Sequence, residues 1–335
     1  MIFRNVLLRG LAANYSMNQG TPFKTIYLNG FVATFALVMS CTAGRADGFY
    51  ASNQSGAIEQ ITSGGAVSTF ATFLGSSDIP QGLALTPGGT LYIANSGDGV
   101  MWQVPPNGVL RPWVSVGVES GSLGLVLGAN GNLFTAVDGQ HIGQIDEISQ
   151  AGTISTFGSL PTGAQPFGLA FDSSGNLLVS DSGPLHCIYQ ITPGGAVTVF
   201  ATLPEAGLLT GLAVGPGGNF FVADFSENSV YEVTPGGTVS TYATLPSGAG
   251  LKGLAFDNSG NLYVSEQSLN EIAKISPGGV ISNFASMYAP GFLLATPEPT
   301  ALSFFTVGLL ALVLRQSRKQ RNQRAESKAG NTTTE

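Results

Sequence analysis

A Gly-Leu-aliphatic triplet recurs at Gly82, Gly124, Gly168, Gly211 and Gly253, at spacings of 42, 44, 43 and 42 residues. A fixed period of that length outranks any local reading, because each repeat is one supersecondary unit that buries its apolar faces only against its neighbours. Each triplet opens the same series of events. A turn such as 172–175 follows, then a strand such as 177–180 and a polar loop. Next comes an aliphatic-x-x-aliphatic strand (Ile188 and Ile191, Val230 and Val233, Ile272 and Ile275) and a Gly-Gly turn. The last strand carries an aromatic, in six places: Phe70, Trp113, Phe157, Phe200, Tyr242 and Phe284. Four short strands make an antiparallel sheet too small to bury both faces alone. Radial packing of such sheets solves the problem, so the expected fold is all-β, a six-bladed β-propeller of four-stranded antiparallel blades.

Composition agrees. Gly accounts for 46 of 335 residues and only 10% are charged, which excludes a coiled coil, a basic nucleic-acid binder and a charge-rich disordered chain. The glycines have no Gly-X-Y period, so collagen is excluded as well. The pairs Gly64-Gly65, Gly194-Gly195, Gly236-Gly237 and Gly278-Gly279 supply the positive φ of tight hairpins. Pro112 falls in a fourth strand, an edge position that tolerates a missing N–H. At the seam, residues 49–73 read as strands two to four of a repeat that lacks its first strand, and Gly291-Phe292-Leu293-Leu294 supplies it from the other end. The two ends then close a sixth blade together; the alternative is that 291–296 is only a linker, 38 residues after Gly253.

The net charge of −7 is segregated. Residues 1–46 hold Arg4, Arg9, Lys24 and Arg45 with no acid, for +4; residues 47–300 total −15; residues 301–335 return to +4. Lys24, an apolar run over 31–39 and small residues through Ala46 follow the order of a secretory signal peptide, cleaved after Ala46. Met17 is an alternative start, a permanent anchor is an alternative to cleavage, and Val38-Met39-Ser40-Cys41 is a partial lipobox that would lipidate Cys41. At the other end Pro297-Glu298-Pro299 precedes an apolar run over 301–314 and the bases Arg315, Arg318, Lys319, Arg321 and Arg324. This resembles the PEP-CTERM sorting signal of exported bacterial proteins. The resemblance implies an exosortase-type processing enzyme as partner, a transmembrane helix, and a basic cluster held in the cytoplasm by the positive-inside rule. An ordinary C-terminal membrane helix is the alternative. The expected organisation is therefore signal peptide 1–46, propeller 47–296, sorting and anchor segment 297–324 and a disordered polar tail 325–335. The protein is expected on the outer side of the inner membrane, then at the cell surface or outside the cell.

The repeats, such as GLAFDSSGNLLVSDSGPLHCIYQITPGGAVTVFATLP over 168–204, resemble NHL repeats and those of streptogramin (virginiamycin B) lyases. They are similar, more loosely, to those of the SMP-30/gluconolactonase group. The lactonase resemblance implies a divalent metal held partly by an Asn just before the Gly-Leu-Ala strand. Here those positions are Gln81, Leu123, Phe167, Thr210 and Lys252, neither Asn nor carboxylate, so they form a candidate ligand rim instead. The lyase resemblance implies a histidine base beside a metal-binding glutamate. The two histidines, His141 and His186, fall in loop regions away from such a Glu.

At the end of the second strand stand Asn53, Asn95, Asp138, Asp181, Asp224 and Glu266. Convergence of the four carboxylates, Asp138, Asp181, Asp224 and Glu266, would hold Ca²⁺ through hard oxygen ligands. The other reading is an Asx turn in each blade, which repetition in every blade favours. The turns at 172–175 and 257–260 lack the further acids of calcium loops, and Cys187 reads as a small apolar core residue. No cofactor is established by these residues, and −15 across the propeller excludes nucleic acid as partner. The expected function is a surface or matrix protein whose propeller binds a protein or glycan on the face away from the anchor. The alternative is a lactonase-like or lyase-like enzyme with a divergent metal site.

Overall fold

The computed structural model describes residues 23–28, 31–36, 48–73, 75, 78–106, 108–117, 122–137, 143–203 and 207–296. Six four-stranded antiparallel sheets make up the main unit. From the innermost strand outward, blade 2 is Pro80–Leu85, Leu91–Asn95, Val100–Val104 and Arg111–Ser115. Blade 3 is Ser122–Leu127, Leu133–Val137, Gln144–Ile148 and Ile154–Ser159; blade 4 is Pro166–Phe171, Leu177–Asp181, Cys187–Ile191 and Val197–Thr202. Blade 5 is Leu209–Val214, Phe220–Asp224, Ser229–Val233 and Val239–Thr244; blade 6 is Leu251–Phe256, Leu262–Glu266, Glu271–Ile275 and Ile281–Ser286. Blade 1 joins the ends: Pro290–Ala295 is its innermost strand, paired with Gly48–Asn53, then Ala57–Thr62 and Val67–Thr72. The linker alternative for 291–296 is thereby excluded.

A separate unit contains a two-stranded hairpin, Phe23–Leu28 with Phe31–Ala36, where the sequence places the signal peptide. The sorting motif Pro297-Glu298-Pro299, the apolar run after it, the basic cluster from Arg315 to Arg324, and Cys41 lie outside the described residues. No helix among the described residues is long and apolar enough to cross a membrane.

The apolar residues settle into six clusters, one in each gap between neighbouring blades. Leu178 and Ile188 of blade 4 pack with Phe220 and Val222 of blade 5. Tyr263 and Ile272 of blade 6 pack with Phe49, Ile61 and Leu293 of blade 1, which closes the ring. Because both faces of a sheet meet a neighbour, second strands are buried throughout, as in Leu177–Asp181 and Leu262–Glu266. Fourth strands are half-exposed, and each anchors itself by its aromatic. Trp113 meets Tyr92 at 4.6 Å between ring centroids, and Phe157 meets Phe134 at 4.8 Å. The second glycine of each Gly-Gly turn has positive φ, 82° at Gly195 and Gly237.

The triplet glycines have a different cause. A Cβ on Gly168 would lie 2.5 Å from the Thr210 carbonyl oxygen in the next blade. One on Gly211 would strike the Lys252 carbonyl, and one on Gly253 the Gly291 carbonyl. Serines on the second strands fasten the same junctions. Ser265 Oγ accepts from Gly253 N at 2.6 Å and donates to Gly291 O at 2.6 Å. Ser180 bridges Gly168 and the Thr210 carbonyl in the same way. In blade 5 the serine is replaced by Ala223, and Thr210 Oγ1 makes the crossing instead, donating to Leu251 O at 2.9 Å. At the seam Phe292 N donates to Ser52 Oγ at 3.0 Å, and Thr296 N donates to Gly48 O at 3.0 Å.

Gly253→Ala should therefore destabilise the propeller by about 2–4 kcal/mol through forced separation of inner strands. Gly217→Ala, whose Cβ would meet nothing within 4 Å, should stay within about 0.5 kcal/mol. Urea unfolding of both variants checks the contrast.

Candidate functional site

Where an innermost strand starts, the sheet register carries a bulge before the glycine. Pro80, Pro166, Leu209, Leu251 and Pro290 each pair with the last residue of their second strand. The equivalent rim positions are thus Gln81, Phe167, Thr210, Lys252 and Gly291, and Phe292 occupies the place that glycine holds elsewhere. Taking Gly291 as the triplet glycine puts blade 1 one residue out of step and hides Phe292. Pro290, matching Pro80 and Pro166, is the signal that would have found it.

Phe292 and Phe167 come from blades on opposite sides of the six-fold ring, and their rings stack at 5.2 Å with 13° between planes. The stacked pair bridges the mouth. Lys252 Nζ lies 5.7 Å from the centre of the Phe167 ring. Further along the axis toward the first-turn face lies a cavity of ≈350 Å³, lined by inner-strand apolar residues including Leu83, Leu125, Leu169, Leu212 and Leu254.

The other rim positions behave differently. Thr210 and Gln81 are buried, and the Thr210 hydroxyl is used between blades, on Leu251 O and Ala223 O. The Leu123 side chain is not among those described. Lys252 is 9% exposed, and burial pushes its amine down from the usual value to about 8. No carboxylate among the described residues comes within ion-pair distance of it, so the Phe167 ring face is its compensation there.

The ring of acceptors at the second-strand ends turns back on its own blades. Asn53 Oδ1 accepts from Ser55 N and Ala57 N, both at 3.0 Å. Asn95 Oδ1 accepts from Ile79 N at 2.7 Å while its amide donates to Asp78. Asp181 Oδ1 accepts from Gln165 N and Gly183 N, both at 2.8 Å; Asp224 Oδ1 accepts from Ser226 N at 2.9 Å and Glu227 N at 3.0 Å. Their Oδ2 atoms find no partner among the described residues. Glu266 is buried, and burial, with Glu271 nearby, raises its carboxyl above the ordinary value. Asp138 lies outside the described residues. Among those described, no three of His, Cys, Asp and Glu gather to hold a metal. Asp181 and Asp224 each commit one carboxylate oxygen to backbone amides of their own blade and keep the other buried.

His186 has φ 45° and its Nδ1–H donates to Gly207 O at 2.8 Å, which ties down a loop between blades; His141 lies outside the described residues. Asp172 and Asp257 cap their turns, accepting from Ser174 N and Ser259 N at 2.8 Å. Cys187 is buried, which pushes its thiol up and leaves it inert.

The sign of the Lys252 effect follows from linkage. Below about pH 8 both folded and unfolded chains carry the proton, and the folded state bears the whole desolvation cost. Between about 8 and the ordinary lysine value of 10.5 only the unfolded chain keeps it, so stability rises with pH there. Lys252→Met should raise stability by about 3 kcal/mol at pH 7, a gain that shrinks as pH climbs through that window. Chemical denaturation across pH 7–11 measures it.

Comparison with known proteins adds three kinds of finding. The family described as the Virginiamycin B lyase family matches residues 72–290. Among solved structures, a catalytically inactive histidine-to-alanine variant of virginiamycin B lyase from Staphylococcus aureus, with quinupristin, shares 18% identity at a TM-score of 0.58, over 72% of this chain and 85% of that one. A gluconolactonase from Xanthomonas campestris shares 15% identity at 0.56, over 74% and 89%. A chain of the nidogen/laminin complex shares 15% identity at 0.64, over 75% and 97%. Against curated proteins there is no match. The rim positions, with a lysine at Lys252 and a phenyl ring at Phe167, do not fit a divalent cation. With a single family match extending over most of the propeller, the chain belongs to the virginiamycin B lyase family.

Proposed function

We propose that this protein is an exported propeller that binds its ligand at the mouth face rather than converting it. The observation that carries the reading is the mouth itself, where the described residues present a stacked Phe167–Phe292 pair and a buried Lys252 and no cluster of hard-oxygen ligands. The Staphylococcus aureus lyase is inactive when one histidine becomes alanine; here His186 Nδ1 is bonded to the Gly207 carbonyl in a loop between blades. A propeller of similar fold occurs in the nidogen/laminin complex, which is compatible with a binding role for this one. Family membership and the buried Glu266 favour a second reading, a lyase-like enzyme with a divergent site.

Export, surface sorting by an exosortase-type enzyme and transient anchoring through the C-terminal helix complete the proposal. They rest on the order of Pro297-Glu298-Pro299, apolar run and basic cluster opposite a signal-like N-terminus. Thr296 is held beside Gly48 at the first-turn face, so an anchored chain would turn its mouth away from the membrane.

Incubation of the purified protein with quinupristin, with and without Mg²⁺, should leave its chromatographic retention unchanged; conversion would establish the enzyme reading. Intact-mass analysis of protein recovered from the cell surface should give a chain beginning at Asp47 and ending near Pro297–Pro299. A cytosolic chain that keeps residues 1–46 would refute the export proposal.

A further inference from the structure

A buried ammonium loses its hydration and needs a counter-charge or strong hydrogen bonds to repay it. Lys252 has neither among the described residues; a phenyl face at 5.7 Å returns only part of the loss. Of the bases in the propeller, Arg111 is exposed on the outermost strand of blade 2 and Lys274 lies over Tyr263 on the third strand of blade 6. Lys252 alone sits on an innermost strand. It shares the mouth with the half-buried rings of Phe167 and Phe292, so three blades bring to the same point a stacked apolar pair and a positive charge that no carboxylate among the described residues compensates.

We propose that the mouth is a binding site for a monocarboxylate carried on a flat apolar body, the carboxylate pairing with Lys252 and the body packing against the exposed side of the stacked Phe167–Phe292 pair. This rests on the reading of the protein as a binding module and names the chemistry of its ligand. A charge-assisted N⁺–H···O⁻ bond in a desolvated site is stronger than a neutral one and restores the missing counter-charge. The excess of acids over the propeller, −15 over residues 47–300, repels anions at long range, which selects against polyanions and for a single charge with apolar surface.

The titratable groups on the strands around Lys252 are Glu266 on its own blade and Asp224 on blade 5; blades 1, 2 and 4 bring Phe292, the neutral Gln81 and Phe167. Burial alone lowers the lysine. An anion that needs the ammonium should therefore bind less tightly as pH rises through about 8, and near that pH binding should take up a proton.

Calorimetric titration of the full chain with phenylacetate, benzoate and indole-3-acetate tests the proposal, with acetate and phenethylamine as controls. Expected are sub-millimolar binding of at least one aryl carboxylate and at least tenfold weaker binding of both controls. The heat near pH 8 should depend on the buffer. Lys252→Met, checked for folding by its melting curve, should weaken the aryl carboxylate at least tenfold, and Lys252→Arg should retain it. Equal binding by Lys252→Met, equal binding of phenethylamine, or no binding of any aryl carboxylate at millimolar concentration would overturn the site while leaving the binding-module reading intact. Conversion of quinupristin by the same sample would overturn that reading and leave the anion site standing.

Discussion

A carbonyl oxygen of the next blade occupies the space that a Cβ would take at Gly168, Gly211 and Gly253, and the rest of the molecule is arranged around that approach. Inner strands this close leave no room for side chains between them, so their polar backbone must be met by something slender. Ser180, Ser265 and Thr210 meet it, each hydroxyl reaching a carbonyl one blade away. The larger apolar residues are displaced outward into the gaps, where pairs of sheets share a core. Blade contact is therefore polar and tight near the axis and apolar and bulky further out.

Much of this was legible in the amino-acid order. Period, strand count, turn glycines, the aromatic on each fourth strand and the composite first blade all follow from local signals repeated at known spacing. What escaped was of two kinds. Phe292 was hidden because it replaces the triplet glycine while a glycine, Gly291, stands one residue earlier, and a repeat alignment anchored on Gly291 inherits the error. The fate of the acceptors at the second-strand ends was hidden because side chains can serve the axis or their own turn equally well by spacing. The amides of Gln165, Gly183 and Ser226 take one oxygen each of Asp181 and Asp224.

Lys252 shows why a site is harder to see than a fold. In the sequence it is one base among the variable residues before a Gly-Leu triplet. Its character depends on what blades 1 and 4 bring to the mouth beside it, since a carboxylate there would make it an ordinary ion pair. Rings at both positions make it a charge with a lowered proton affinity instead. The family fold supplies the platform, while the chemistry at the mouth rests on a few positions free to change without disturbing the blades.

The composite blade has a consequence in time. Ser52 and Phe292, which bond across the seam, are separated by 240 positions in the chain, so their encounter closes a very large loop at an entropic cost that grows only slowly with its length. Blades 2 to 6 are built from neighbours in sequence and are complete as each repeat emerges during synthesis. The three strands from 48 to 72, made first, stay an open sheet until the last strand arrives. The earliest part of the propeller to be synthesised is thus the last to be finished.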